Sequence, residues 1–243
     1  MTRHLAFDGL CNFRDLGGYP AADGRSTRWG WLYRSDALGK LSSPADLERF
    51  GALGIGTVID LRYPWEIARR GRVPELDGVA YHNLSIEHRP YDQAEIDPEL
   101  DPWRYLADRF AEVAEDGVVE IREVLELIAA ADRPVVFHCA SGKDRTGLIA
   151  ALVLTLVGVG EDDVAADFAL TELATPHLVA AWHAANPGRA LRWPGFGRAP
   201  EEVIRHVLAD LTRAHGSVRG YATGALGLDE RLIDELRGRL LTA

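Results

Sequence analysis

The 243-residue chain has little cysteine, methionine or lysine: two Cys, one Met, and two Lys against 25 Arg. Two cysteines cannot build a disulfide framework, and no Cys/His set has the spacing of a structural zinc site, so no metal is expected. Long apolar runs are also missing. The longest, near Leu148 to Val159, covers about twelve residues, where a bilayer span needs about 20. No transmembrane segment is therefore expected. The first eight residues, Met-Thr-Arg-His-Leu-Ala-Phe-Asp, lack the apolar core of a signal peptide, which predicts a cytoplasmic protein. There is no internal repeat, low-complexity tract or charge block. Positive charge is in deficit, with a net charge of −10. That excludes a general nucleic-acid binder, whose affinity rests on phosphate contacts, but leaves room for one local anion site.

What is present is a globular composition, 47% hydrophobic and 26% charged, in a length that suits one domain over residues 1–243. Ser43-Pro44-Ala45-Asp46 reads as a helix start, with Ser as N-cap, Pro in the first position and a carboxylate in the first turn. That helix should end near Gly54. Gly56 to Leu61 is a short β-branched run of the buried-strand type, Val79 to Leu84 is a weaker strand, and Ser85 to Pro102 is polar and Pro-bearing, hence a loop. Two helices follow, the second with Val118, Ile121, Val124, Leu125 and Ile128 at helical spacing. Arg133-Pro134 ends it, Val135-Val136-Phe137 is a buried strand, and a helix apolar on nearly all sides runs from about Thr146 to Val157. Trp29, Trp31 and Tyr33 alternate as in a strand, which fits hairpin packing better than a base-stacking platform. The last third is helical apart from Asn186 to Pro200, and residues of about 170–215 form a candidate helical cap. Alternating strands and helices imply an α/β architecture with a mostly parallel sheet flanked by helices.

One stretch carries chemistry: His138-Cys139-Ala140-Ser141-Gly142-Lys143-Asp144-Arg145-Thr146-Gly147, between a buried strand and a buried helix. A loop entering a helix offers unpaired backbone N–H groups, and the helix dipole favours an anion there. Gly142 permits the positive φ that lets the amides of Ala140 to Arg145 converge on one centre. Cys139 stands at the floor of this cradle, where the same amides stabilise a nucleophilic thiolate. Arg145 can lay its planar fork on two phosphate oxygens, and Thr146 can donate its hydroxyl to the sulfur when it leaves.

His-Cys-x5-Arg-Thr-Gly resembles the signature of cysteine-dependent protein tyrosine and dual-specificity phosphatases. The inner Gly142-Lys143-Asp144 is similar to one branch, the bacterial tyrosine phosphatases that also act on phosphoinositides. Asn12-Phe13-Arg14-Asp15-Leu16-Gly17-Gly18-Tyr19, Asp60-Leu61-Arg62 with Glu66, and Gly216-Ser217-Val218 with Tyr221 and Gly227-Leu228 resemble the same branch. The resemblance implies the cysteine-phosphatase fold with a helical C-terminal extension, no cofactor, and Arg14 and Asp15 bracing the phosphate loop. It implies phosphotyrosine proteins or phosphoinositide headgroups as partners, with phosphoserine and phosphothreonine also in range, and inorganic phosphate as product. Related bacterial phosphatases can leave the cell without a signal, so that route is a second expectation for location.

Monoester hydrolysis needs an acid for the leaving oxygen and then a base for water. The wider family often uses a Trp-Pro-Asp loop, which is missing here; Trp193-Pro194-Gly195 lacks the carboxylate and reads as a turn or part of the cap. Asp144, beside Arg145, is the first candidate acid. Asp60, at the end of a parallel strand, is the second. Either could instead accept backbone N–H bonds. Lys143 would hold a second phosphate or simply raise the local potential. His138 is expected to fix the loop through backbone hydrogen bonds. Cys11 is expected as a buried thiol, with reversible disulfide formation to Cys139 as the sharper alternative. Asp162-Asp163 is explained by a helix N-terminus. Two other functions compete with phosphate transfer: a rhodanese-like sulfurtransferase, which would not need Arg145-Thr146-Gly147, and a non-catalytic phosphate-binding module.

Overall fold

The computed structural model describes residues 2–86 and 96–243. Residues 87–95, within the expected 85–102 loop, lie outside it. Five strands form one sheet in the order β1 (Arg14–Asp15), β2 (Leu32–Ser35), β5 (Val135–His138), β3 (Thr57–Asp60), β4 (Ala80–Asn83). Only β1 runs antiparallel, against β2; the other pairings are parallel. The expected mostly parallel sheet is therefore present.

Side-chain alternation divides the sheet's two faces. Val135, Phe137, Ile59 and Leu32 join the larger core, whereas Val136, Val58 and Tyr33 join the smaller one. Successive strand residues point to opposite faces, so each face must bury a layer of its own. The smaller core holds Phe50 of α1 (Pro44–Ala52) together with Phe7, Phe13 and Leu38. The larger takes α3 (Pro102–Asp116), α4 (Val118–Ala130), α5 (Asp144–Val157), α6 (Glu161–Ala169), α8 (Glu201–His215) and α10 (Glu230–Leu240). The remaining helices are α2 (Pro64–Arg70), α7 (Thr175–Ala185) and the short α9 (Val218–Gly220). Helix α5 is central: twelve of its fourteen residues are buried.

Local chemistry set most boundaries. Ser43 caps α1 by accepting the Asp46 amide at 3.1 Å, with Pro44 in first position. Helix α5 begins two residues before the sequence pattern suggests, so Asp144, Arg145 and Thr146 all fall in its first turn. Strand β2 begins only at Leu32, because Gly30 turns at φ +73 and donates its amide to Asp15 at 2.6 Å. Trp29 and Trp31 thus sit in the turn, and Tyr33 alone of the three is in the strand. Of the segment expected as a cap, α8 buries Val203, Ile204, Val207, Leu208 and Leu211 in the main core instead. Asp162 in the first turn of α6 pairs with Arg205 at 2.9 Å. Among the described residues no helix is long and apolar enough to cross a membrane.

Candidate active site at the carboxyl ends of the strands

The parallel register aligns Ser35, His138 and Asp60 at one edge of the sheet, where α/β sites collect. Cys139 follows His138 directly and is 2% exposed. The loop between it and α5 is held by its carbonyls. Ala140 O accepts the Ala37 amide at 3.3 Å, Ser141 O accepts Asn12 Nδ2 at 3.0 Å, and Gly142 O accepts Arg34 at 2.8 Å. In a planar trans peptide the N–H points opposite to the C=O. Tying three consecutive carbonyls outward therefore turns the amides of Ser141, Gly142 and Lys143 the other way, and none of them donates to a described residue. Gly142 is required: its φ is +69, and a Cβ there would meet Ser35 O at 2.6 Å.

Arg145 is buried and paired end-on with Glu66 of α2, Nη1 to Oε2 at 2.7 Å and Nη2 to Oε1 at 3.1 Å; Nη1 also reaches Leu61 O at 3.2 Å. Five N–H donors less these three leave Nε–H and the second Nη2 proton, the parallel edge that fits two phosphate oxygens. Tyr63 lies with its ring 5.2 Å from the guanidinium and stacks on exposed Trp65. Burial works against the Arg145 charge, but the Cys139 sulfur and Glu66 outweigh it and hold the group protonated. Burial likewise pushes Glu66 up, and Arg145 then brings its carboxyl below the usual range.

The other expected site residues separate into two sets. Asp144 is partly exposed, 3.1 Å from Lys143 Nζ, and lines a cavity of about 330 Å³ beside the loop. Thr146 is buried next to the loop, its hydroxyl without a partner among the described residues. Asp60 is fully buried and occupied: it accepts Arg62 at 2.9 and 2.7 Å and the Tyr81 hydroxyl at 3.0 Å. Burial raises its carboxyl, and Arg62 then draws it below the usual value. His138 is buried, with Nδ1 3.2 Å from Cys139 O. Lys143 differs from the expected free rim cation: it is 2% exposed, with Nζ donating to Arg198 O at 3.2 Å. Arg14 reaches the loop through Asn12 and also grips Asp167 Oδ1 at 3.1 Å. Asp15 does not touch the loop; it accepts the amides of Gly17 and Gly30, which shape the turn before β2. Cys11 is half-buried, its thiol donating to Asp36 at 3.5 Å.

Three braces escaped the sequence reading. Arg34 holds Gly142 O and pairs with Asp167 at 2.6 Å. Asp167, on α6 and fully buried, joins Arg34 to Arg14. Asp36 accepts the amides of Cys11 and Asn12 at 3.2 and 3.1 Å, fixing the turn that presents Asn12. Three polar residues in a row, Arg34-Ser35-Asp36, at the end of a buried strand were the available signal. Among the described residues no group of three or more His, Cys, Asp and Glu is gathered to hold a metal.

Residues 5–242 match the tyrosine phosphatase family. A Cupriavidus necator protein assigned by name to the tyrosine-protein phosphatases is 34% identical over 264 residues, 98% of this chain and 89% of that protein. The triple specificity protein phosphatase PtpB of Mycobacterium tuberculosis is 29% identical over 278 residues, 96% and 97% of the two chains. Among solved structures, TpbA of P. aeruginosa in complex with pTyr aligns over 88% of this chain and 87% of its own at 21% identity, with a TM-score of 0.36. With the family match running almost from end to end, the chain belongs to the tyrosine phosphatase family.

Proposed function

We propose that the protein hydrolyses phosphate monoesters, phosphotyrosine in proteins first, through a phosphocysteine on Cys139. The observation that carries this is the cradle: three inward amides and the free edge of Arg145 around a buried Cys139. Preorganised donors of this kind stabilise charge on transferring phosphoryl oxygens without reorganising. In the first step the Cys139 sulfur attacks phosphorus, the ester P–O bond breaks, and Asp144 gives its proton to the leaving oxygen. In the second, water attacks phosphorus, its proton passes to Asp144, and the S–P bond breaks. The Thr146 hydroxyl, which has no partner among the described residues, hydrogen-bonds the departing thiolate, and phosphate is released.

Asp144 is the general acid because it lines the cavity and Asp60 does not; Asp60 serves as a buried brace for Arg62. Phosphoserine, phosphothreonine and phosphoinositides are further substrates of the same chemistry, in keeping with a triple specificity relative. No cofactor is needed, since nucleophile, acid and anion cradle all come from the chain. Residues 175–199 act as a cap, as Lys143 is tied to Arg198. The test is release of phosphate from p-nitrophenyl phosphate. Cys139→Ser should abolish it while retaining binding of inorganic phosphate. Turnover that survives Cys139→Ser overturns the mechanism, and sulfur transfer from thiosulfate without phosphatase activity would select the rhodanese-like sulfurtransferase alternative.

A further inference from the structure

The chain's two lysines are 103 positions apart in sequence, yet both line the cavity beside the phosphate loop, together with Arg70. Among the residues lining it, three are cations and one, Asp144, is a carboxylate. That is an inverted balance in a chain of net charge −10. One phosphate does not require these cations, because the amides and Arg145 already provide for it. We propose that Lys40 and Arg70 form a second anion subsite that selects phosphotyrosine peptides bearing another anionic side chain, acidic or phosphorylated, beside the reacting one. This rests on the phosphatase reading of the loop.

The three cations are not equivalent. Lys143 is spent on Arg198 O and Asp144. Lys40 closes the short 3-10 turn Leu38–Lys40 with its ammonium 2.7 Å from Asp36 Oδ2 and its side chain 41% exposed. Asp36 also accepts the Cys11 and Asn12 amides, so its charge is shared, and two of the three Lys40 N–H donors stay open. The same carboxylate places Lys40 relative to the loop, since Asn12 holds Ser141 O. Arg70 ends α2, and the next residue is pinned by a bond from Arg62 to Gly71 O at 3.0 Å. Its guanidinium makes no ion pair among the described residues. Lys40, held by Asp36 with two donors open, and Arg70, with no ion pair among the described residues, thus line one cavity with Ala140, Ser141 and Asp144 of the loop.

The remaining lining says what carries the anions. Trp182 and Phe196, in contact at 5.8 Å, and Leu178 give the cavity apolar surface. Such surface suits the aryl ring of tyrosine and gains little from a polyol, so the peptide is favoured over an inositol headgroup. At about 330 Å³ the cavity is at the small end for ligand sites, enough for one ring and its immediate neighbour.

The experiment compares kcat/KM for three synthetic phosphotyrosine peptides of one sequence, with neutral, glutamate or phosphoserine neighbours, and for a soluble bisphosphorylated inositol headgroup. The native enzyme should prefer the anionic peptides by about tenfold at low salt, and the preference should shrink at 0.5 M NaCl as screening takes hold. Lys40→Gln and Arg70→Gln, measured separately because Lys40→Gln disturbs the Asp36 turn, should each bring the ratio between peptides toward one. Equal rates on the native enzyme, or a ratio that survives both substitutions, overturn the subsite. A headgroup that outruns the anionic peptides and depends on Lys40 and Arg70 overturns the peptide assignment. If peptides are cleaved at equal rates while p-nitrophenyl phosphate is turned over normally, only the subsite fails; if neither is turned over, the underlying reading fails with it.

Discussion

Glu66 meets Arg145 with both carboxylate oxygens, at 2.7 and 3.1 Å, while its Oε2 also accepts the Tyr63 amide at the start of α2. A helix N-terminus 79 residues away in sequence thereby fixes the rotamer of the phosphate-loop arginine. The pairing uses the outer end of the guanidinium and leaves the Nε edge unpaired among the described residues, so Glu66 orients the group without occupying the edge that the proposed substrate would use. Glu66→Gln should lower kcat/KM for p-nitrophenyl phosphate about 10–100-fold, the range expected when a positioned group drifts by about 1 Å. The inhibition constant of inorganic phosphate should rise in parallel. Unchanged phosphate inhibition would show that Arg145 keeps its place without Glu66.

The two candidate acids predict different failures. Asp144→Asn should cost far more with phenyl phosphate than with p-nitrophenyl phosphate, whose leaving group needs little protonation. Its acid-dependent limb in the pH–rate profile should vanish. Asp60→Asn leaves Arg62 buried without its charge partner, so it should destabilise by about 3–5 kcal/mol with no leaving-group dependence. Urea denaturation and the two substrates, run on both variants, separate the roles. A leaving-group effect in Asp60→Asn alone would exchange them.

Contiguity decided what the sequence could reveal. Cys139, Arg145, Thr146 and the glycine that bends the loop lie within nine residues between a strand and a helix, so local chemistry exposes them. The parallel sheet was legible from β-branched runs separated by helices. Arg34, Asp36 and Asp167 were not, because their contacts with the loop span more than 100 residues, or run through Asn12, and exist only after folding. Lys143 and Asp15 show the converse difficulty. Each is chemically suited to the role expected of it, but the fold supplies a nearer partner, Arg198 O for one and the Gly17 and Gly30 amides for the other. Asp60 reads as a catalytic carboxylate at a strand end until Arg62, two residues on, folds back and occupies it.

Stability should fall in two stages on acidification. Burial keeps His138 neutral, with its pKa below the usual 6.5 despite the nearby Asp60 charge. From pH 6.5 downward the unfolded chain takes up a proton that the folded chain does not, so stability declines by up to about 1.4 kcal/mol per pH unit per such group. His4, also lowered by burial, adds to the same interval. Asp167, Asp60 and Glu66 all have depressed values, because arginines outweigh their burial. Their contribution is present above the usual carboxylate range and lost as pH falls through the depressed values, giving the second and steeper stage. Urea midpoints from pH 7 to 5 should show the first slope, and His138→Asn should reduce it to the His4 share. An unaltered slope in that variant would remove His138 from the account.

Cys11 and Cys139 provide the last test, by oxidation. A protective disulfide would form when a Cys11 thiolate attacks the sulfenic acid on Cys139, expelling hydroxide as the S–S bond closes. Cys11 is poorly suited to that attack. Burial, with the Asp36 carboxylate beside it, pushes its thiol up to about 11, so at pH 7 only about one molecule in ten thousand carries the thiolate. Peroxide at neutral pH should therefore carry Cys139 to sulfinic acid, with little Cys11–Cys139 peptide by mass spectrometry. Asp36→Asn removes the nearby negative charge and should increase that peptide relative to the native chain. Abundant cross-linked peptide from the native enzyme at pH 7 would show that the thiol is activated despite Asp36, and that the turn bearing Cys11 is a redox guard as well as a support for Asn12.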